Sequence, residues 1–288
     1  MDQIGKLKAL ICQLIDDNQF LVSMLNSMKQ RGDNLPQIEL TYLKGSFFCP
    51  DTNCIKISIP DITYSYRLAK LCINDENSSS TIKPIYLNNH FHCESFWEIS
   101  VKLSKAEEII IEEEIRKTNF LRGDKANIIG FDALTQFSIA YSLYHEIGHA
   151  FHNKYIPESE PIKREVAADS FAFEAIKSRC IIDNYDVLFR GTFIGVIQVL
   201  MRRKQIEEVA DAEHPHSIER LYYLLNSWGI QYDSYYWKLS FLFFSRWCKW
   251  NHEPLDWLVE SSATPYDKFM DAYSHYRKKD NKKSLCNI

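Results

Sequence analysis

The chain has 288 residues, 45% of them hydrophobic and 25% charged, with a formal net charge of −4 and an isoelectric point near 6.2. That composition excludes a disordered chain, and the length suffices to bury one large core or two smaller ones. The mildly acidic balance, with only short basic runs such as Arg202-Arg203-Lys204 and Arg277-Lys278-Lys279, leaves no electrostatic footprint for nucleic acid.

In chain order, residues 2–30 place Leu7, Leu10, Ile11, Leu14, Ile15, Leu21, Leu25 and Met28 near helical spacing, which predicts one amphipathic helix stopped at Gly32. Nothing in this stretch resembles a secretory leader. From about 45 to 104 the pattern changes to strands, expected at 45–49, 54–59, 84–88 and 95–103, with a polar loop over Asn74–Ser80. Cys49 and Cys54, with His90, His92 and Cys93 downstream, have the residue types of a second metal site. Pro50-Asp51-Thr52-Asn53 reads more simply as a hairpin turn between two strands. A charged helix follows over Lys105–Leu121.

The remainder reads as helical. Asp132 is the expected N-cap of a helix running to about Tyr155, Pro157 and Pro161 bracket a loop, and a second helix covers about 162–179. Further helices are expected at 185–210, 216–228, 233–250 and 264–278. The most apolar stretch, Val187–Met201, is interrupted by Arg190, Gly191, Gly195 and Gln198, so a buried helix is expected there rather than a membrane span. The eight scattered cysteines suit reduced thiols and a cytoplasmic location. The expected fold is α+β and predominantly helical, a single unit. In it, 1–130 supply a helix and a small sheet, and 131–288 supply a helical catalytic part.

The chemistry concentrates in His145-Glu146-Ile147-Gly148-His149. Residues four apart share a helix face, so both imidazoles can reach one ion, while Glu146 is offset by about 100° and can reach a water beside it. A catalytic zinc site takes three protein ligands and keeps one position open. Glu165 in Glu165-Val166-Ala167-Ala168-Asp169 is the candidate third ligand, and Asp169, one turn on, can fix the tautomer of a ligand histidine. Ala167 and Ala168 keep that surface small enough for close helix approach. Gly148, costly in a helix, is expected where the backbone packs closely against a sheet or substrate strand. His152 shares the ligand face as a rim residue.

Downstream, His214-Pro215 marks the mouth of a new helix, where His214 can hydrogen-bond a developing oxyanion. Arg220 can buttress Glu165 or Asp169, or hold a substrate carboxylate. A sheet edge over Phe96–Leu103 is a candidate for binding substrate by strand addition.

Together, His145-Glu146-x-x-His149, Glu165-x-x-x-Asp169 and His214-Pro215-x-x-x-x-Arg220 resemble the gluzincin metallopeptidases over about residues 133–225, most of all the phage-exclusion peptidases of the Lit type. The resemblance implies a zincin-like fold with Zn2+ as cofactor. It also implies a cytoplasmic endopeptidase, a host translation factor (elongation factor Tu) as protein substrate, and an activating phage peptide or protein. A regulatory peptidase that cuts a repressor and a non-enzymatic metal-binding interaction protein are the alternatives. No nucleic-acid or membrane partner is expected, and the oligomeric state is open.

Overall fold

The computed structural model describes residues 3–43, 45–74, 128–180, 185–202, 217–250 and 264–286. The chain divides into two compact units, Met1–Gln198 and Val199–Ile288.

The first unit opens with α1 (Gln3–Asp16) and α2 (Gln19–Gln30), where a single helix was expected. The break is at Asn18, which turns to an extended conformation and caps α2 by accepting from the Leu21 N–H at 3.1 Å. Gly32 ends α2 as expected, at φ +79°.

Three strands follow: β1 (Gln37–Thr41), β2 (Phe47–Cys49) and β3 (Cys54–Ser58), in the order β1-β3-β2. β1 runs parallel to β3 and β2 antiparallel, with Cys49 opposite Cys54. The hairpin expected across Pro50–Asn53 is therefore present, with Asn53 at φ +47°. β1 has no counterpart in the sequence reading. β3 is the central strand, and Cys54, Ile55, Ile57 and Ser58 are all buried on it.

Immediately after β3 the chain enters α3 (Ile59–Asn74), within a region expected to hold only strands. The expected strands at 84–88 and 95–103, the helix at 105–121, and His90, His92 and Cys93 lie outside the described residues.

The centre of the unit is α4 (Ile128–His152). It begins before Asp132, which therefore lies inside the helix and is not its cap. Ile139, Ala140, Tyr141, Leu143, Tyr144 and Ile147 are each at most 2% exposed, so the helix is covered on several faces, as a core helix must be. α5 (Pro161–Lys177) starts with proline in its first turn, where a missing N–H costs nothing.

α6 (Tyr185–Arg202) covers another face of α4. A Cβ on Gly191 would meet Phe137 Cβ at 2.5 Å, and one on Gly195 would meet Tyr141 Cδ1 at 2.8 Å. The two glycines are the contact surface. A polar cluster joins three helices in this core: Ser138 donates to Ser65 Oγ at 3.0 Å, and Ser65 donates to Gln198.

The second unit holds α7 (Ser217–Ser227), α8 (Tyr235–Trp250) and α9 (Pro265–Cys286), the last longer than the expected 264–278. Its core is aromatic. Trp237, fully buried, has Phe269 at 5.3 Å and Tyr266 edge-on at 4.8 Å, while Tyr222 stacks on Tyr273 at 5.0 Å. No helix among the described residues is long and apolar enough to cross a membrane.

Candidate metal centre

α4 and α5 make the most extensive helix pairing in the first unit, and their closest approach sits one residue before His149. A Cβ on Gly148 would come within 2.9 Å of Ala168 Cα and 3.2 Å of the Ala168 carbonyl oxygen. The close packing expected at Gly148 is thus against a helix, not a sheet or substrate strand, because Ala168 presents no bulk to hold the backbones apart. The small surface read in Ala167-Ala168 serves this contact.

With the helices this close, three side chains converge. His145 Nε2 lies 3.0 Å from His149 Nε2 and 3.3 Å from Glu165 Oε2, and His149 Nε2 lies 3.1 Å from Glu165 Oε1. Two ligands about 2.0–2.1 Å from a tetrahedral zinc stand about 3.3 Å apart, so the separations match the edges of such a site to within a few tenths of an ångström. Only one proton can lie between two facing imidazole nitrogens. The donor set therefore fits a divalent cation of borderline softness. Among the described residues, no other group of three His, Cys, Asp or Glu side chains is disposed to hold an ion.

Behind the first histidine, His145 Nδ1 is 2.8 Å from Asp169 Oδ1, at ion-pair distance though outside hydrogen-bond angles. Burial opposes the charged imidazolium more than any other single influence. The Asp169 and Glu165 carboxylates together outweigh it and raise the His145 pKa to about 10. Tyr141 adds a contact the sequence reading missed: its hydroxyl donates to the same Asp169 Oδ1 at 2.8 Å. Tyr141 lies four residues before His145 and so shares its helix face, which is the signal that can reveal it.

Glu146 is 6% exposed, and burial pushes its carboxyl above the usual range. His145 and His149 pull it down, as does the nearby Phe48 backbone. Phe48 belongs to β2, which is an edge strand among the described residues, so that edge stands beside Glu146. That neighbour depends on tertiary pairing and leaves no local trace in the sequence.

His152 is outside the converging cluster. Its ring is edge-on to Phe171 at 6.2 Å, and burial, then repulsion from His149, holds its pKa below the ordinary value. Arg220 is 4% exposed on α7, in the second unit. His214 and the strand expected over Phe96–Leu103 lie outside the described residues.

The family model described as Peptidase U49 matches residues 75–240, more than half of the chain and including all three converging side chains. No curated protein and no solved structure matches the chain. On the strength of that family match, the chain belongs to the peptidase U49 family.

Proposed function

We propose that the protein is a zinc-dependent endopeptidase of the gluzincin type, with His145, His149 and Glu165 as metal ligands and Glu146 as general base. The observation that carries this reading is the convergence of the three donors at 3.0–3.3 Å with Glu146 buried next to them in sequence and in space. When bound, zinc supplies Lewis acidity, which acidifies a water and polarises the scissile carbonyl.

The protein's own groups do the rest. Glu146 takes the water's proton and delivers it to the leaving amine. A carboxyl raised by burial suits that two-way transfer. Asp169 orients His145 by holding its Nδ1 side. His214 is the proposed hydrogen-bond donor to the oxyanion, and Arg220 the proposed buttress of the carboxylates or holder of a substrate carboxylate. An extended substrate lies along β2, which packs against α4 near Glu146; the strand expected over Phe96–Leu103 is the other candidate.

The resemblance to the Lit-type peptidases extends the proposal to a cytoplasmic phage-defence protease. Its substrate would be elongation factor Tu, its activator a phage peptide or protein, and all 288 residues would act as one catalytic unit.

The test pairs the zinc-loaded chain with its Glu146→Gln variant on purified elongation factor Tu and on a mixed peptide library. The expected result is discrete cleavage by the unmodified chain, slowed at least ~100-fold in the variant, whose metal content is unchanged. Cleavage of the library alone retains the peptidase and replaces the substrate. No cleavage of either, or equal cleavage by the variant, contradicts the enzymatic reading.

A further inference from the structure

We propose that Tyr141 is a positioning residue for the metal centre, fixing the Asp169 carboxylate so that it in turn fixes His145. The inference rests on the metal-binding reading of His145. One oxygen, Asp169 Oδ1, accepts from the Tyr141 hydroxyl and faces His145 Nδ1 at ion-pair distance, each at 2.8 Å. Both partners come from one face of α4 and the carboxylate from α5.

A carboxylate turns easily about its last torsion, so a single partner leaves its direction poorly set. A charge-assisted hydrogen bond from a group on the same helix as the histidine removes that freedom. The phenol ring is itself held by two further elements. It stacks on Phe173 of α5, with centroids 5.8 Å apart and planes 15° apart, and it packs against Gly195 of α6. Any side chain at Gly195 would meet the ring, since a Cβ there comes within 2.8 Å of Tyr141 Cδ1. Tyr141 and Asp169 are each 1% exposed, so no water competes freely for the shared oxygen. The glycine on α6 thus acts on the metal ligand through a chain of contacts: Gly195, Tyr141, Asp169, His145.

Groups behind a metal ligand typically change affinity by about 10–100-fold when removed. The test measures zinc affinity by chelator competition on the full chain, for Tyr141→Phe, Asp169→Asn and the double variant, with melting of the metal-free proteins as the control for folding. Tyr141→Phe is expected to weaken zinc about tenfold while the metal-free chain melts close to the unmodified protein. In the Asp169→Asn background it is expected to add less than about twofold, because its route to the metal has already been cut. A tyrosine that only fills the core would lower the melting temperature and leave zinc affinity unchanged.

Unchanged affinity in Tyr141→Phe, or losses that multiply in the double variant, overturns the proposal. If the Asp169 variant does not fold, Gly195→Ala replaces it: zinc weakened several-fold is expected, and unchanged binding overturns the proposal. Failure of the unmodified chain to bind zinc is a separate result that removes the metal reading, and this inference with it.

Discussion

At His145 two strong effects oppose each other, and their balance decides how the site responds to pH. Burial favours the neutral ring, but Asp169 and Glu165 win and hold the pKa at about 10, above the ordinary 6.5. In the metal-free chain this proton stabilises the folded state. That contribution is fully present below pH 6.5, the unfolded value, and is lost as pH rises through about 10. Glu146, raised by burial, makes stability fall as pH rises past the ordinary carboxylate value, a loss that begins on the acid side and is separate from that of His145. The melting temperature of the chelator-treated protein is therefore expected to fall from neutral to alkaline pH. The metal-loaded protein, in which Nε2 carries no proton, should lack the His145 part of that fall. A His145→Gln protein with the same slope as the unmodified metal-free chain would show that other groups carry it.

At the scale of the element, the site depends on how closely α4 and α5 approach, and Gly148 sets that distance. Alanine there gains about 1 kcal/mol of helix propensity. It also places a methyl 2.9 Å from Ala168 Cα, a backbone atom that cannot rotate away. Overpacking of this kind costs roughly 1–3 kcal/mol, so the clash outweighs the gain. Gly148→Ala is expected to melt at a lower temperature and to bind zinc more weakly, as calorimetry with and without metal would show. An equal or higher melting temperature in the metal-free variant would mean that the helices separate without cost.

The sequence made these two helices readable because their apolar spacing is long and their chemistry local. Other elements were hidden for physical reasons. The α1–α2 break is invisible because the apolar stripe of Leu14 and Leu21 continues on both sides of it, and Asn18 acts through tertiary bonds. Its amide donates to the Ala175 carbonyl at 2.7 Å, 157 residues away in sequence. α3 carries Ile59, Ile62, Thr63, Tyr64 and Tyr66, residue types that favour strands, and burial against α4 overrides that preference. Likewise, the Ile128 start of α4 precedes the residue that best resembles a cap.

Across the whole molecule, the family match begins at residue 75, yet residues before it frame the candidate site. The Tyr144 hydroxyl, on the residue preceding the first histidine, donates to the Leu14 carbonyl of α1 at 2.6 Å. Arg31, just past α2, lies over Phe151 at 5.4 Å and Tyr155 at 5.7 Å, fixing the end of α4. β2 brings its backbone to Glu146. The N-terminal segment, silent in the motif reading, is therefore part of the structural support for α4. The convergence of His145, His149 and Glu165 was legible from motif and spacing, whereas the Tyr141 contact and the β2 edge required the fold.

The most direct test of the central claim is the metal content of the purified protein, by elemental analysis after zinc loading, beside His149→Ala and Glu165→Ala. The expected result is about one zinc per unmodified chain and loss of most of it in both variants. Zinc retained in Glu165→Ala would contradict the three-ligand centre built from α4 and α5, and absence of zinc from the unmodified chain would contradict the metal centre altogether.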